Sequence, residues 1–387
     1  MTATGSKWLC PDLVFDGQTL LADHALDMAS GRIRSLTMLK NLPAGAECRT
    51  VPGTITPGYL DLQVNGGGDV FLNDTPTPSG MAEIAAAHRR FGTVGIMPTL
   101  ITDAPEVLDR AAEAILAARN DAGILGLHIE GPHISEARRG THATRFIRPL
   151  DDRTIAVVTK LRRAGVAVMI TVAPEATSPG QIAALAATGA VVSIGHSDAS
   201  AAEVRAALEQ GASCFTHLFN AMSPMLNRAP GVTGACINST AYAGIICDGV
   251  HVADEMLGLA LRARPVPDTT FLVSDAMPTV GGSDRFSLYG DEISLEHGRL
   301  VNSEGSLAGA HVTMAQSVAR LIRHVGVTPE TALRMAVTIP ARVISAPHLS
   351  GVIGREVSDL LVLDSNWQVC GTCATLDNAE ISNDRLC

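Results

Sequence analysis

The middle of the chain, residues 54–349, alternates short apolar runs with amphipathic stretches, and this alternation constrains the fold most strongly. Helical periodicity, with apolar residues every three or four positions, marks Glu106–Ala118 and Ala201–Glu209. Because strands that alternate with helices form parallel sheets, the pattern predicts an α/β fold, specifically a (β/α)8 TIM-type barrel. The eight candidate strands are Gly58–Val64, Val94–Leu100, Ile124–Ile129, Ala167–Val172, Val191–Gly195, Cys214–Leu218, Ala243–Cys247 and Thr270–Ser274.

Both ends of the chain have β-strand patterns instead. Turns separate short apolar runs near the N-terminus, and a further run lies near the C-terminus. Two terminal β segments that flank a long middle predict one small β-sandwich domain, built from residues 1–53 and 350–387, beside a catalytic barrel over 54–349. The terminal runs are Leu13–Phe15, Ala25–Met28, Ile33–Leu36 and Asp359–Asp364.

Charge and composition exclude several classes of protein. The formal net charge is −10 and no basic stripe occurs, so we expect no nucleic-acid partner. Apolar residues make up 46% of the sequence, which is typical of an ordered globular protein. No apolar run reaches the ~20 residues that span a membrane, and the N-terminus lacks the pattern of a secretory signal. We therefore expect a cytoplasmic protein with no membrane partner.

The eight cysteines are scattered, several of them in apolar runs. A chain this long needs no disulfide framework, so we expect them to be reduced and mostly buried. Cys370 and Cys373 form a CxxC pair, but no second pair accompanies it. A metal or redox role is therefore disfavoured, and the role of the pair stays open.

Four polar residues close or interrupt apolar strand runs: Glu130, His196, His217 and Asp275. Strand carboxyl ends converge at one mouth of a barrel, so these side chains should meet there. Two imidazoles and a carboxylate are a typical catalytic zinc set, and a further carboxylate can carry a proton. Each residue alone could be a hydrogen-bonded core group or a helix cap, but the combination favours a metal-dependent hydrolase.

Two loops that follow predicted strands are unusually long, and in a barrel both would emerge at the catalytic face. One covers residues 220–234. The other covers about 276–309 and contains a hairpin-like alternation from Phe286 to Val301. Arg228 in the first loop could hold an anionic group on this acidic protein, although it could equally be a solvated loop charge.

Several motifs resemble those of N-acetylglucosamine-6-phosphate deacetylases, of the amidohydrolase superfamily. The resemblance runs over nearly the whole chain, and the combination of motifs is highly specific. It implies hydrolysis of the acetamide of N-acetylglucosamine 6-phosphate to glucosamine 6-phosphate and acetate, in amino-sugar catabolism or cell-wall recycling. The motifs are Pro57–Gly66, Leu127–Pro132, Gly140–His142, Gly195–Ser197, Thr216–Met222, Asp248–His251, Ser274–Asp275 and Gly305–Gly309.

The resemblance also implies roles for individual residues. Glu130, His196 and His217 match the metal ligands, and Asp275 matches the general base that later protonates the departing amine. His142 matches a histidine that is near the substrate carbonyl and could stabilise an oxyanion. The positions that match substrate contacts are Asn220, Ala221, Arg228, His251 and Leu307.

Dimerisation is implied in the same way. In the family, the arginine and a histidine at the positions of Arg228 and His251 come from the neighbouring subunit. The resemblance therefore implies a homodimer, with a small sugar phosphate as the ligand shared across its interface.

The first predicted strand carries Gln63 and Asn65 where many superfamily members have His-x-His. Amides are poorer transition-metal ligands than imidazoles, so we expect one divalent metal ion per subunit rather than a bridged pair. Zn²⁺ is the leading candidate, and Fe²⁺, Mn²⁺ or Co²⁺ also suit such ligands. We expect Gln63 and Asn65 to hydrogen-bond Asp275 or a water on the metal, and we count both among the substrate-binding residues.

Two alternatives stay open at this point. One is a deacetylase for N-acetylgalactosamine 6-phosphate or another N-acyl sugar, because loop geometry decides which hydroxyl orientation is accepted. The other is a barrel without catalysis that serves as a binding or scaffold protein. The complete set of metal ligands together with Asp275 argues against the second.

Overall fold

The β-strands form four sheets within residues 7–302, 305 and 307–378, which the computed structural model describes. The strands in chain order are β1 (Lys7–Phe15), β2 (Leu20–Ala22), β3 (His24–Ala29), β4 (Arg32–Met38), β5 (Glu47–Pro57), β6 (Tyr59–Val64), β7 (Gly66–Gly67), β8 (Val70–Phe71), β9 (Thr93–Ile101), β10 (Gly126–Glu130), β11 (Ala167–Val172), β12 (Val191–Ile194), β13 (Cys214–Phe215), β14 (Tyr242–Ile245), β15 (Thr270–Leu272), β16 (Arg285–Leu288), β17 (Asp291–Glu296), β18 (Arg299–Val301), β19 (Leu360–Leu363) and β20 (Val369–Thr372).

The α-helices lie mainly between the strands of the central region. They are α1 (Pro78–Arg89), α2 (Pro105–Ala118), α3 (Asp152–Arg163), α4 (Gln181–Ala187), α5 (Ala201–Glu209), α6 (Gly231–Ile237), α7 (Asp254–Ala263), α8 (Met314–Arg320), α9 (Pro329–Leu333), α10 (Ile339–Val343) and α11 (Cys373–Asn378). Helices α8 and α9 each continue into a π-helical turn.

Eight parallel strands form the central barrel in the order β6, β9, β10, β11, β12, β13, β14 and β15. The first and last of them meet through a parallel bridge between Val64 and Ala276 and a hydrogen bond from Asp275 N to Gln63 O. The predicted (β/α)8 barrel is therefore confirmed. Each predicted barrel strand corresponds to one observed strand, and β11 has the predicted bounds.

Burial explains why these segments take their positions. All nine residues of β9 are buried, as expected for a strand covered on both faces by side chains and helices. On α2, the buried side chains Val107, Leu108, Ala111 and Ile115 repeat at the helical period, so one stripe packs on the barrel. Helix α5 begins at a capping box, in which the side chain of Ser200 accepts a hydrogen bond from the backbone N–H of the third helical residue.

The terminal segments form the small β domain as one seven-stranded sheet, ordered β20, β19, β5, β1, β3 and β4, with β2 paired to β1. Its core has residues from both ends of the chain, including Leu26, Ile55 and Val362. Strand β5 is absent from the predicted strands, although it pairs with both β1 and β19 and leads directly into the barrel. The boundaries 1–53 and 350–387 stay a prediction, and residues 1–6 and 379–387 lie outside the described residues.

The long segment after β15 forms a three-stranded antiparallel sheet from β16, β17 and β18, in agreement with the predicted hairpin pattern. Leu288, Ile293 and Leu300 of this sheet pack with Phe71 and Met277 beside the barrel mouth. The insertion therefore forms one wall of the region where the catalytic strand ends converge.

The described part of the chain contains no helix long and apolar enough to cross a membrane. Cys370 takes part in a disulfide, so the expectation that all cysteines are reduced is wrong for this residue. Cys214, Cys236 and Cys247 are fully buried in the barrel core, as expected. Cys387 lies outside the described residues.

Candidate active site

The four polar residues at the strand ends line one pocket at the carboxyl-terminal mouth of the barrel. Glu130 is the last residue of β10, and His196, His217 and Asp275 follow β12, β13 and β15 within a few residues. Glu130, His196 and His217 are buried, and Asp275 is half-buried. The other residues that line the pocket are Asn65, Ile101, Gly140, Thr141, His142, Asn220, Ala221, His251, Met277, Leu307 and Gly309.

Three donor atoms converge at the floor of this pocket. Nε2 of His217 lies 2.9 Å from Oε1 of Glu130, and Nε2 of His196 lies 3.2 Å from the same oxygen. The two imidazole nitrogens are 3.0 Å apart. Ligands at zinc distances in a tetrahedral site are about 3.3 Å apart, so the three atoms suit a single small divalent ion.

The orientation of His196 supports the same arrangement. Its Nδ1 lies 2.9 Å from the backbone oxygen of Arg138, to which it can donate a hydrogen bond. This contact leaves Nε2 without a proton and directed at Glu130. Metal-binding histidines are commonly held in this way by a carbonyl on the opposite ring nitrogen.

A second set of possible ligand atoms overlaps with the first. One atom each from Glu130, His142 and His196 lie within 4.8 Å of one another. We favour the set with His217, because its three atoms lie within 3.2 Å and its residues all leave barrel strands. His142 instead stands in a loop above them.

Charge interactions in the site are strong because Glu130, His196 and His217 are buried. Burial alone would raise the pKa of Glu130, but the adjacent imidazoles of His196 and His217 hold it well below its usual range. Burial would lower the pKa of His217, yet its hydrogen bond with Glu130 raises it. Glu130 is therefore an anion that needs positive charge beside it, and a divalent ion supplies such charge.

Asp275 is held by two side-chain amides. Its Oδ1 accepts hydrogen bonds from Nδ2 of Asn65 at 2.7 Å and Nε2 of Gln63 at 3.1 Å. Gln63 Nε2 also donates to Oε1 of Glu130 at 3.0 Å, so one amide bridges the two carboxylates. Burial and the nearby Glu130 charge raise the pKa of Asp275, which lets this carboxyl hold a proton more readily than an exposed one.

The backbone at three of these positions lies in the left-handed region. The φ angles are +48° for His196, +33° for His217 and +53° for Asp275. Non-glycine residues adopt this conformation at a cost of about 1–3 kcal/mol each, and such strain is concentrated at functional sites. The turns that follow the strands thus direct these side chains inward toward one point.

Residues expected to contact substrate are divided between the pocket and the surface. Asn220, Ala221 and Leu307 line the pocket with His251. Nδ1 of His251 lies 2.6 Å from the carboxylate of Asp248, which fixes the ring. The short loop after β14 brings His251 into the pocket of its own chain, and a contribution of this residue across an interface stays a prediction.

Arg228 stands apart from the pocket of its own chain. It lies within the exposed run 224–230, and it is absent from the residues that line the pocket. A reach from this loop into a partner's site stays a prediction.

Comparisons with known proteins agree with this geometry. The chain is 38% identical over 325 residues to an N-acetylgalactosamine-6-phosphate deacetylase of Shewanella sp. (strain ANA-3), covering 83% of this chain and 82% of that protein. It is 30% identical over 370 residues to an N-acetylglucosamine-6-phosphate deacetylase of Haemophilus influenzae, covering 93% and 96%. The chain belongs to the N-acetylglucosamine-6-phosphate deacetylase family. It is accordingly a metal-dependent hydrolase of the amidohydrolase superfamily.

A solved structure extends this family relationship to the whole fold. The chain matches a mutant N-acetyl-D-glucosamine-6-phosphate deacetylase from Mycobacterium smegmatis, determined in complex with N-acetyl-D-glucosamine-6-phosphate, with a TM-score of 0.85 and 30% identity. The match covers 95% of this chain and 97% of that chain. No protein-family model matches the sequence.

Two further polar residues, Thr102 and Asp61, support the site but are not identified from the sequence. Thr102 directly follows β9, and its Oγ1 lies 2.6 Å from Nδ1 of His142. Asp61 lies buried in β6 and accepts hydrogen bonds from the backbone nitrogens of Gln63 and Ser274. A threonine that follows a predicted barrel strand, and an acid inside one, are the signals that could have identified them.

Proposed function

We propose that the chain hydrolyses the acetamide of N-acetyl-D-glucosamine 6-phosphate to D-glucosamine 6-phosphate and acetate. One observation supports this most directly. Asp275 is held by Asn65 and Gln63 beside the three converging donor atoms of Glu130, His196 and His217. Amide hydrolysis needs a carboxylate of this kind, because water must lose a proton and the leaving nitrogen must gain one.

We infer that one divalent ion, with Zn²⁺ as the leading candidate, is held by Glu130, His196 and His217. When bound, the ion would supply Lewis acidity toward the amide carbonyl and the attacking water. Fe²⁺, Mn²⁺ or Co²⁺ would suit the same ligands. Gln63 and Asn65 use their amide hydrogens on Asp275 and Glu130, which favours one ion over two.

Asp275 is the proton carrier in this scheme. Its carboxylate accepts a proton from the attacking water as the new C–O bond forms. It then delivers that proton to the nitrogen as the C–N bond breaks, which leaves acetate and the amine. The raised pKa of Asp275 suits both halves of this cycle, since the carboxyl must accept and release a proton.

The other residues of the pocket bind and orient. His142 is placed to stabilise negative charge on the carbonyl oxygen, a contribution that preorganised donors make in many acyl-transfer sites. Asn220, Ala221, His251 and Leu307 line the space available to the sugar. We propose that Arg228 binds the phosphate of the substrate in the neighbouring subunit of a homodimer, since it is exposed and is not among the residues that line the pocket of its own chain.

We propose a cytoplasmic location, because a phosphorylated sugar is charged and does not cross a lipid bilayer unaided.

N-acetylgalactosamine 6-phosphate is the second candidate substrate, because the chain is 38% identical to a relative named for that sugar. A catalytically inactive scaffold is the remaining alternative. The hydrogen bonds that hold Asp275 beside the metal ligands argue against it.

Acetate release from purified enzyme of measured metal content tests the proposal. The two N-acetylhexosamine 6-phosphates are compared by kcat/KM, and we expect the higher value for the glucosamine derivative. A higher kcat/KM for the galactosamine derivative would reassign the preferred substrate. No acetate from either sugar, with the metal site filled and the chain folded, would support the scaffold reading and contradict deacetylation.

A further inference from the structure

Thr102 and His142 form a buried pair at the edge of the active site. Thr102 Oγ1 lies 2.6 Å from Nδ1 of His142, although the two residues are 40 positions apart. Thr102 is fully buried and His142 is nearly so. Within the described part of the chain, each of these atoms has the other as its hydrogen-bond partner. The opposite ring nitrogen of His142 is left for the pocket that the residue lines.

The count of hydrogens decides which group donates. If Nδ1–H donated to the threonine, the hydroxyl hydrogen would be buried without an acceptor among the described residues. An unsatisfied buried polar hydrogen costs about 1–3 kcal/mol. If the hydroxyl donates to an unprotonated Nδ1, both groups are satisfied. A neutral imidazole then carries its only proton on Nε2.

We propose that Thr102 is a positioning residue that donates its hydroxyl hydrogen to Nδ1 of His142, so that the imidazole presents an Nε2–H donor to the carbonyl oxygen of the substrate. This inference rests on the proposed function, in which that oxygen gains negative charge. A hydrogen-bond donor aimed at it stabilises the transition state, whereas an unprotonated nitrogen would repel it.

The same tautomer assigns His142 to substrate rather than to metal. A nitrogen that carries a proton has no lone pair for coordination. The overlapping ligand set of Glu130, His142 and His196 is therefore excluded by the hydroxyl of Thr102. His142 instead acts as a donor above the metal site formed with His217.

Neighbouring groups hold Thr102 in place from two sides. The hydroxyl of Tyr289, in the turn between β16 and β17, donates to the backbone oxygen of Thr102. On the other side, a Cβ added at Gly131 would lie 2.3 Å from Thr102 Oγ1, so only glycine leaves room for the hydroxyl. The insertion sheet thus anchors the backbone of Thr102, and the glycine in the turn after β10 leaves room for its hydroxyl.

Kinetics of Thr102→Val and Thr102→Ser test this role. We expect Thr102→Val to lower kcat about 10- to 100-fold, part of the roughly 100- to 1000-fold that loss of one oxyanion donor costs. KM and metal content should change little, and Thr102→Ser should restore most of the rate. Thr93→Val is the matched control. It removes a buried hydroxyl that has no hydrogen-bond partner among the described residues, at the opposite end of β9 from Thr102.

Three outcomes would overturn the proposal: a normal kcat in Thr102→Val, equal losses in the Val and Ser variants, or loss of metal from Thr102→Val. The last would make His142 a ligand. Nitrogen-15 spectra of histidine-labelled, metal-loaded enzyme give a readout independent of turnover, with His142→Asn to assign the signal. An Nε2–H tautomer in the wild type supports the proposal, and an Nδ1–H tautomer refutes it. Absence of turnover in the fully loaded wild type would contradict only the proposed function.

Discussion

Nδ2 of Asn65 lies 2.7 Å from Oδ1 of Asp275, and this hydrogen bond joins the first and last strands of the barrel at its catalytic mouth. The contact does two things at once. It orients the carboxylate toward the pocket, and it favours the charged form of a group that burial and Glu130 push toward protonation. The amide of Asn65 thus lowers the pKa of the proton carrier, whereas a histidine at this position would bind metal.

Replacement of Asp275 should stop proton transfer without emptying the metal site. We expect Asp275→Asn to lower kcat about 100- to 10,000-fold, the range attributed to a positioned acid–base group. Metal content should stay at the wild-type level, because the ligands are other residues. Asp121→Asn, at an exposed position after α2, is the matched control and should leave kcat unchanged. A rate for Asp275→Asn within tenfold of wild type would remove Asp275 from this role.

The pH profile should respond to Asn65. Because the pKa of Asp275 is raised, the base becomes protonated at a higher pH than an exposed carboxyl, and the rate should fall as the pH decreases through that pKa. Asn65→Ala removes a hydrogen bond that favours the charged form. The acid limb of kcat should therefore move upward by about one pH unit. Asn238→Ala, which removes an amide that donates to the helix carbonyl of Gly234, should leave the profile in place. An unmoved limb in Asn65→Ala would contradict this account.

Stability should carry a pH dependence from Asp61. Burial raises the pKa of Asp61 to about 7 from an ordinary value of 3.8. A raised folded-state pKa gives stability that is complete below the unfolded value and lost as pH rises through 7. Asp61→Asn should therefore gain about 1–3 kcal/mol in unfolding free energy relative to wild type between pH 5 and pH 8. Chemical denaturation at several pH values, with Asp121→Asn as control, measures this; a difference independent of pH would contradict it.

Mixed dimers test the placement of Arg228. A dimer of one Arg228→Ala chain and one Asp275→Asn chain would have one complete site if Arg228 serves its partner. Random mixing of the two impaired variants should then restore about one quarter of wild-type activity, since half of the dimers are mixed and half of their sites are complete. If Arg228 acts in its own chain, or the protein is monomeric, mixing restores nothing.

Much of the fold could be predicted because the apolar pattern is strong. Strand β11 has its predicted bounds, since Ala167–Val172 is one apolar run between helical stretches. Strand β5 could not be found in this way, because its residues alternate irregularly and its partners, β1 and β19, come from opposite ends of the chain. Pairing over such a distance leaves no local signal.

The site was predictable in composition but not in its supporting contacts. Because Glu130, His196 and His217 lie at the ends of predicted strands, the sequence predicts that these residues meet at the barrel mouth. The left-handed backbone at His196 and His217 and the hydroxyl of Thr102 depend on three-dimensional packing instead. The position of His251 in the pocket of its own chain depends on the length of the loop after β14, which is visible only in the fold.

Metal titration of the apoenzyme tests the central claim most directly. Chelated enzyme is reloaded with measured amounts of Zn²⁺, and acetate release from N-acetyl-D-glucosamine 6-phosphate is followed at each step. We predict that the rate rises in proportion to bound metal and levels off at one ion per chain. No acetate at full occupancy, or a rate that requires a second bound ion, would contradict a single-metal deacetylase built on Glu130, His196, His217 and Asp275.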